Sequence, residues 1–204
     1  MKPAYTDPRI VRTRAALRDA LGTLLREHSF EALTLNEIAT ASGLNRATIY
    51  KHHPDKFALL DSWIADEFQT RLLAANSGGE WSGPSKLAGV IAAACQCLQW
   101  VAALGRPDDR LLRPIAEARI RALLQHAIHY GLAEKLVIAV AKPDFAAALA
   151  SAAIYGAAEA WTHTTASSQR ALDSYVSKVI AALVGILVPN PKPPPRSNRP
   201  LEFE

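Results

Sequence analysis

Apolar residues recur at helical spacing along most of this chain. Between Asp7 and about Glu27, Leu17, Ala20, Leu21, Leu24 and Leu25 form a stripe while Arg9, Arg12, Arg14 and Arg18 occupy other faces. Thr34-Leu35-Asn36-Glu37 is a capping box that starts a short helix, and Gly43 ends it. A second short helix starts near Asn45 and stops before Pro54, because a residue preceding proline disfavours the α conformation. Pro54-Asp55-Lys56 opens a long helix with Phe57, Leu60, Ile64, Phe68 and Leu72 among its apolar positions.

The second half of the chain continues in this way. Ser77-Gly78-Gly79 breaks the long helix, Pro84 to about Ala103 forms the next, and Gly105-Arg106-Pro107 breaks again. Pro114–Tyr130 is helical, with Ile115, Ala118, Leu123 and Ile128 apolar and Gly131 as the expected stop. Val137–Val140 is β-flavoured but has no partner strand, so it reads as helix or loop. Asp144–His163 is apolar almost all round, with Glu159 its one internal charge, which predicts burial on every side. Gln169–Val188 is the last helix, and the proline-rich residues 189–204 read as an extended, disordered tail. The expected fold is all-α with about nine helices.

Composition agrees with that pattern. Hydrophobic residues make up 50% of 204 positions, and Ala and Leu supply nearly a third of the chain, favouring helix over sheet. The formal net charge is +4, and most of the excess lies before residue 57: nine Lys and Arg against six Asp and Glu. Residues 57–188 are balanced, with eleven of each. An anionic partner is therefore sought first in the opening quarter. The start of the chain is polar and charged, unlike a secretory signal. The longest uncharged run, Leu87–Gly105, contains Gln96 and Gln99 and much Ala, so it reads as a buried helix rather than a membrane span, in a cytoplasmic protein. Cys95 and Cys97 point apart on a helix and read as core thiols.

The motif with the most chemistry is residues 35–52, LNEIATASGLNRATIYKH. Ile38 faces inward, Ala39 allows two helices to cross closely, Gly43 supplies a left-handed turn, and Leu44 and Ile49 plug the angle between them. That order is what a helix-turn-helix needs, with the second helix in the DNA major groove. Asn45, Arg46, Ala47, Thr48, Tyr50, Lys51 and His52 remain for the outer surface. They are mostly donors and cations suited to phosphate oxygens and base edges. No carboxylate occurs between Glu37 and Asp55, and Thr34 and Lys56 stand near helix N-termini, where amides also face anions.

The segments Thr34–Ala39 and Ser42–Lys56 resemble the N-terminal domain of TetR-family transcriptional regulators. The resemblance is specific over about residues 7–62 and architectural beyond them. It implies a DNA-binding domain over residues 1–53 and a C-terminal effector-binding and dimerisation domain over 54–188, with no cofactor and no metal. It further implies that Thr34, Tyr50, His52 and Lys56 hold phosphates, and that Asn45, Arg46, Ala47, Thr48 and Lys51 face bases or share both roles. Two positions depart from the family pattern. His53 stands where an aromatic Phe is usual, and Ser29-Phe30-Glu31 fills a turn that often holds Gly.

The same resemblance implies a homodimer through the last two helices, 144–163 and 169–188. Ala146, Ala150, Ala153 and Ala157 form a small-residue stripe compatible with close helix approach. The expected partners are a palindromic double-stranded operator, since a dimer presents two reading helices, and a small, fairly lipophilic effector, with no membrane. Cys97, Trp100, His126, Tyr130, Tyr155 and Trp161 are the candidates for the effector pocket. The expected function is a repressor released by that effector; the alternative is an architectural or protein-docking DNA-binding protein without one. An enzyme is not expected, because the six histidines are scattered and no nucleophile elbow, phosphate-binding loop or zinc motif occurs.

Overall fold

A computed structural model describes residues 8–75, 83–106, 108–135, 143–164 and 168–187. Among them are eight helices and no strand: α1 (Pro8–Glu27), α2 (Leu35–Ser42), α3 (Arg46–His52), α4 (Lys56–Ala75), α5 (Gly83–Ala103), α6 (Leu112–Lys135), α7 (Pro143–Thr162) and α8 (Gln169–Leu187). The all-α expectation holds. Val137–Val140, where a ninth helix was possible, lies outside the described residues, as does the segment 189–204.

Two boundaries of α6 differ from the sequence reading. The helix starts at Leu112, before Pro114, because Asp109 caps it by accepting from the Leu111 and Leu112 amides. Pro114 is then the third helical residue, where no intrahelical N–H bond is lost. The helix also runs through Gly131 to Lys135. An interior glycine costs only about 1 kcal/mol relative to Ala, too little to stop a helix that is otherwise supported.

Helix α5 is the hub, packing on α4, α6, α7 and α8. Ile91, Ala93, Ala94, Cys95 and Cys97 are fully buried there. Ser85–Ala103 is apolar and long enough to cross a membrane by composition, yet its apolar sides are covered by protein. Burial drives both thiols up to about 12, so they are unreactive core groups. A continuous apolar cluster joins Leu17 of α1 to Leu183 of α8, so the first three helices rest on the rest of the bundle through shared core. Arg14–Asp66 at 3.5 Å and Arg18–Glu67 at 3.6 Å add ion pairs between α1 and α4.

Within the single chain, the Asp144–His163 helix is covered on only part of its surface. Helix α7 exposes Phe145 (64%) and Leu149 (41%), with Ala148, Ala152 and Gly156 also exposed on the same face. The small-residue stripe turns the other way: Ala146 and Ala150 are buried within the chain, and Ala153 and Ala157 are half-buried. Composition shows that a helix is apolar throughout, but neighbours within one chain cover only part of it.

Candidate nucleic-acid interface

The reading surface is built from the turn outward. Thr34 is extended and caps α2: its hydroxyl accepts from the Glu37 amide at 3.2 Å, and the Glu37 carboxylate takes the Thr34 amide and hydroxyl at 2.7 Å each. Those bonds hold the Glu37 carboxyl below its ordinary range. Gly43 closes α2 at φ 67°, a left-handed conformation that costs other residues about 1–2 kcal/mol. Asn45 then caps α3, its Oδ1 accepting from the Ala47 amide at 2.8 Å.

Ile38 (0%), Ala39 (1%) and Ile49 (1%) are buried at the crossing of α2 and α3, and Leu44 packs against them. Ile49 is the one buried residue of α3. Arg46, Ala47, Thr48, Tyr50, Lys51 and His52 are all exposed, with Asn45 at their head. Tyr50 is 47% exposed, and its hydroxyl stands 3.5 Å from Asn36 Oδ1, bridging the two helices. A short helix with one anchoring side chain thus presents a donor-rich outer surface, and the chain carries no acid from residue 38 to 54.

Two of the residues expected to hold phosphate are engaged within the chain. The Lys56 ammonium donates to the carbonyls of Phe30 (2.9 Å), Glu31 (2.7 Å) and Leu33 (2.7 Å), which uses all three of its protons. It also sits 5.1 Å and 5.6 Å from the Phe30 and Phe57 ring centres. Lys56 therefore braces the α1–α2 turn. Both donors of Thr34 are likewise engaged by Glu37, whose carboxylate stands at the N-terminus of α2.

His53 is half-buried where the sequence departs from the family pattern. Its amide donates to the Ile49 carbonyl at 2.7 Å, and its Nδ1 lies 3.4 Å from Ser62 Oγ. The Ser62 hydroxyl also lies 2.9 Å from the Leu59 carbonyl, to which it donates. Burial first, and neighbouring His52 next, push the His53 pKa down, favouring the neutral ring. A cleft of about 460 Å³ runs past it, lined by Arg14, Thr48, His52 and Ser62 among others.

Five of the six effector candidates have side chains among the described residues. Cys97 is buried in α5, and Trp100 meets Trp63 edge-on at 5.1 Å beside Arg71. Tyr155 is buried under the Arg121 guanidinium, 3.8 Å from its ring centre. Trp161 is buried against Tyr175, with ring centres 5.0 Å apart, and its Nε1 has no hydrogen-bond partner among the described residues. His126 is exposed on α6. The Tyr130 side chain lies outside the described residues.

Sequence reasoning missed Asp109. Its one visible signal is a carboxylate just before a helix, but its second partner, the Phe30 amide, is 79 positions away.

Residues 17–62 match the sequence family described as bacterial regulatory proteins of the tetR family. Over these residues the chain is similar to the tetR family. A curated relative, the uncharacterised HTH-type transcriptional regulator YxbF of Bacillus subtilis strain 168, is 35% identical over 85 residues, or 40% of this chain. The match spans only 22% of that protein's length. The fold likeness is wider. A TetR transcriptional regulator of Streptococcus agalactiae 2603V aligns over 90% of this chain and 97% of its own, with TM-score 0.55 and 20% identity. The regulator FadR of Bacillus subtilis, in complex with stearoyl-CoA, aligns over 84% and 97%, with TM-score 0.52 and 17% identity. The chain thus shares the general all-helical fold of these solved structures.

Proposed function

We propose that this chain is a DNA-binding transcription regulator whose α3 enters the major groove. The observation that carries the reading is the surface of α3: Ile49 alone is buried, and Arg46, Thr48, Tyr50, Lys51 and His52 face outward behind an Asn45 cap. Arg46 and Thr48 are assigned to bases, Tyr50, Lys51 and His52 to the backbone, and Asn45 and Ala47 to the close approach. Lys56 and Thr34 set the geometry of the head. Residues 1–53 form the reading domain, 54–188 the body, and 189–204 a tail.

Two copies join through α7 and α8. The occupant of the exposed Phe145–Leu149 face is a second copy of this chain, because the same face continues along α7 through Ala152 to Gly156 with small, uncharged side chains. Such pairing places two reading helices on one palindromic operator in the cytoplasm. The body takes a weakly charged, lipophilic effector that releases the operator by preferring a dimer of different half-site spacing. Trp161, with its unpaired buried Nε1, offers that ligand one polar contact.

Fluorescence anisotropy of the full chain with duplex DNA tests the reading. Affinity falls steeply between about 50 and 200 mM salt, and Lys51→Ala makes the fall shallower. No binding at the lowest salt contradicts it.

A further inference from the structure

Asp109 is only 9% exposed, and its two carboxylate oxygens serve different parts of the chain. Oδ1 accepts from the Leu111 and Leu112 amides at 3.1 and 3.0 Å, capping α6. Oδ2 accepts from the Phe30 amide at 2.6 Å, in the turn that leads into α2. The opposite end of the same residue, the Phe30 carbonyl, accepts from Lys56 at the start of α4. The Phe30 ring is fully buried and meets Phe57 edge-on at 5.4 Å. The N-terminal ends of α4 and α6 therefore converge on one residue of the reading head.

Arg106 adds a second link, reaching the Glu27 carbonyl at 3.4 Å, at the end of α1. Gly105 has φ 77°, and a Cβ there would lie 2.6 Å from the Leu112 side chain. A hydrogen bond to an ionised acceptor is also about twice as strong as a neutral one.

We infer that Asp109 is a positioning residue that fixes the angle of the reading head on the body, and so selects the half-site separation the protein accepts. The inference rests on the DNA-binding reading above. A change at the first turn of α6 moves the Phe30 turn with it, and the α2–α3 pair follows. In a two-headed complex, a small rotation of each head changes the distance between the two α3 helices.

The test uses the full chain and two variants. Asp109→Ser keeps a side chain that caps α6 well but is too short to reach Phe30. Asp109→Asn keeps one oxygen for the cap and turns an NH2 group toward the Phe30 N–H. The half-site is first recovered by wild-type selection from random duplexes. It is then arranged as inverted repeats whose separation increases one base pair at a time. Wild type is expected to favour a narrow set of separations. Both variants are expected to keep the half-site sequence while their preference for the best separation over its neighbours falls about 5-fold or more. A folded variant with an unchanged separation profile overturns the inference and leaves the DNA-binding reading intact. Equal loss of affinity at all separations, or unfolding of both variants by circular dichroism, makes Asp109 a stability residue and also overturns it. Wild type that enriches no sequence overturns both readings.

Discussion

The Lys56 ammonium donates to the Phe30 carbonyl at 2.9 Å, the first of three carbonyls that it holds in the turn between α1 and α2. The bonds to Phe30 and Leu33 are part-buried and the one to Glu31 is exposed, and a hydrogen bond from a charged donor contributes about 1.5–3 kcal/mol at most. Lys56→Met is therefore expected to lower the thermal midpoint clearly. Where the protein is still folded, the salt dependence of its DNA binding is expected to keep the wild-type slope. A stable Lys56→Met protein with a shallower slope would return Lys56 to the phosphate-binding set.

Lys51 and Arg46 are expected to behave differently from Lys56 and from each other. Lys51→Ala lowers affinity for all duplexes alike and reduces the salt slope by about 1 per reading head. Arg46→Ala relaxes preference at one operator position, by about 1–3 kcal/mol against the wrong base. Anisotropy titrations over a salt series, run on matched and mismatched duplexes, separate these outcomes.

His53 gives the head a pH dependence whose sign is set by its depressed pKa. The folded chain holds the ring neutral where the unfolded chain already binds a proton. The resulting stability is fully present above the ordinary value of 6.5 and is lost as pH falls through that value toward the folded one. Arg14 and His52 oppose the charged ring, while Asp66 partly offsets them. His53→Phe is expected to narrow the difference in thermal midpoint between about pH 8 and about pH 5.5. An unchanged difference in the variant would place the pH dependence elsewhere.

The exposed face of α7 yields a prediction about assembly. Phe145→Asp with Leu149→Asp puts carboxylates on that face without touching the buried Ala146 and Ala150. Sedimentation is expected to show wild type as a dimer and the double variant as a folded monomer. A wild-type monomer, or a variant that remains dimeric, would move or remove the interface.

Several of these features could be read from the chain alone, and others could not. The capping box, Gly43 and the buried Ile38, Ala39 and Ile49 were legible because they depend on neighbours within a few positions. The carbonyl partners of Lys56 were not legible because they lie 23 to 26 positions earlier, and proximity to a helix start says nothing about where a long side chain turns. Asp109 was missed because its contact with Phe30 exists only after the body has folded against the head. The apolar character of α7 was plain, but which face other helices cover is decided by packing, and the alanine stripe went inward. The exposure of His126 on α6 was not legible from residue type alone.

Selection of the full chain against a random duplex library tests the central claim most directly. The account predicts enrichment of an inverted repeat, with Arg46→Ala relaxing one symmetric pair of positions in it. Recovery of no preferred sequence, or of one that Arg46→Ala, Thr48→Ala and Tyr50→Ala all leave unchanged, would contradict the assignment of α3 as the reading helix.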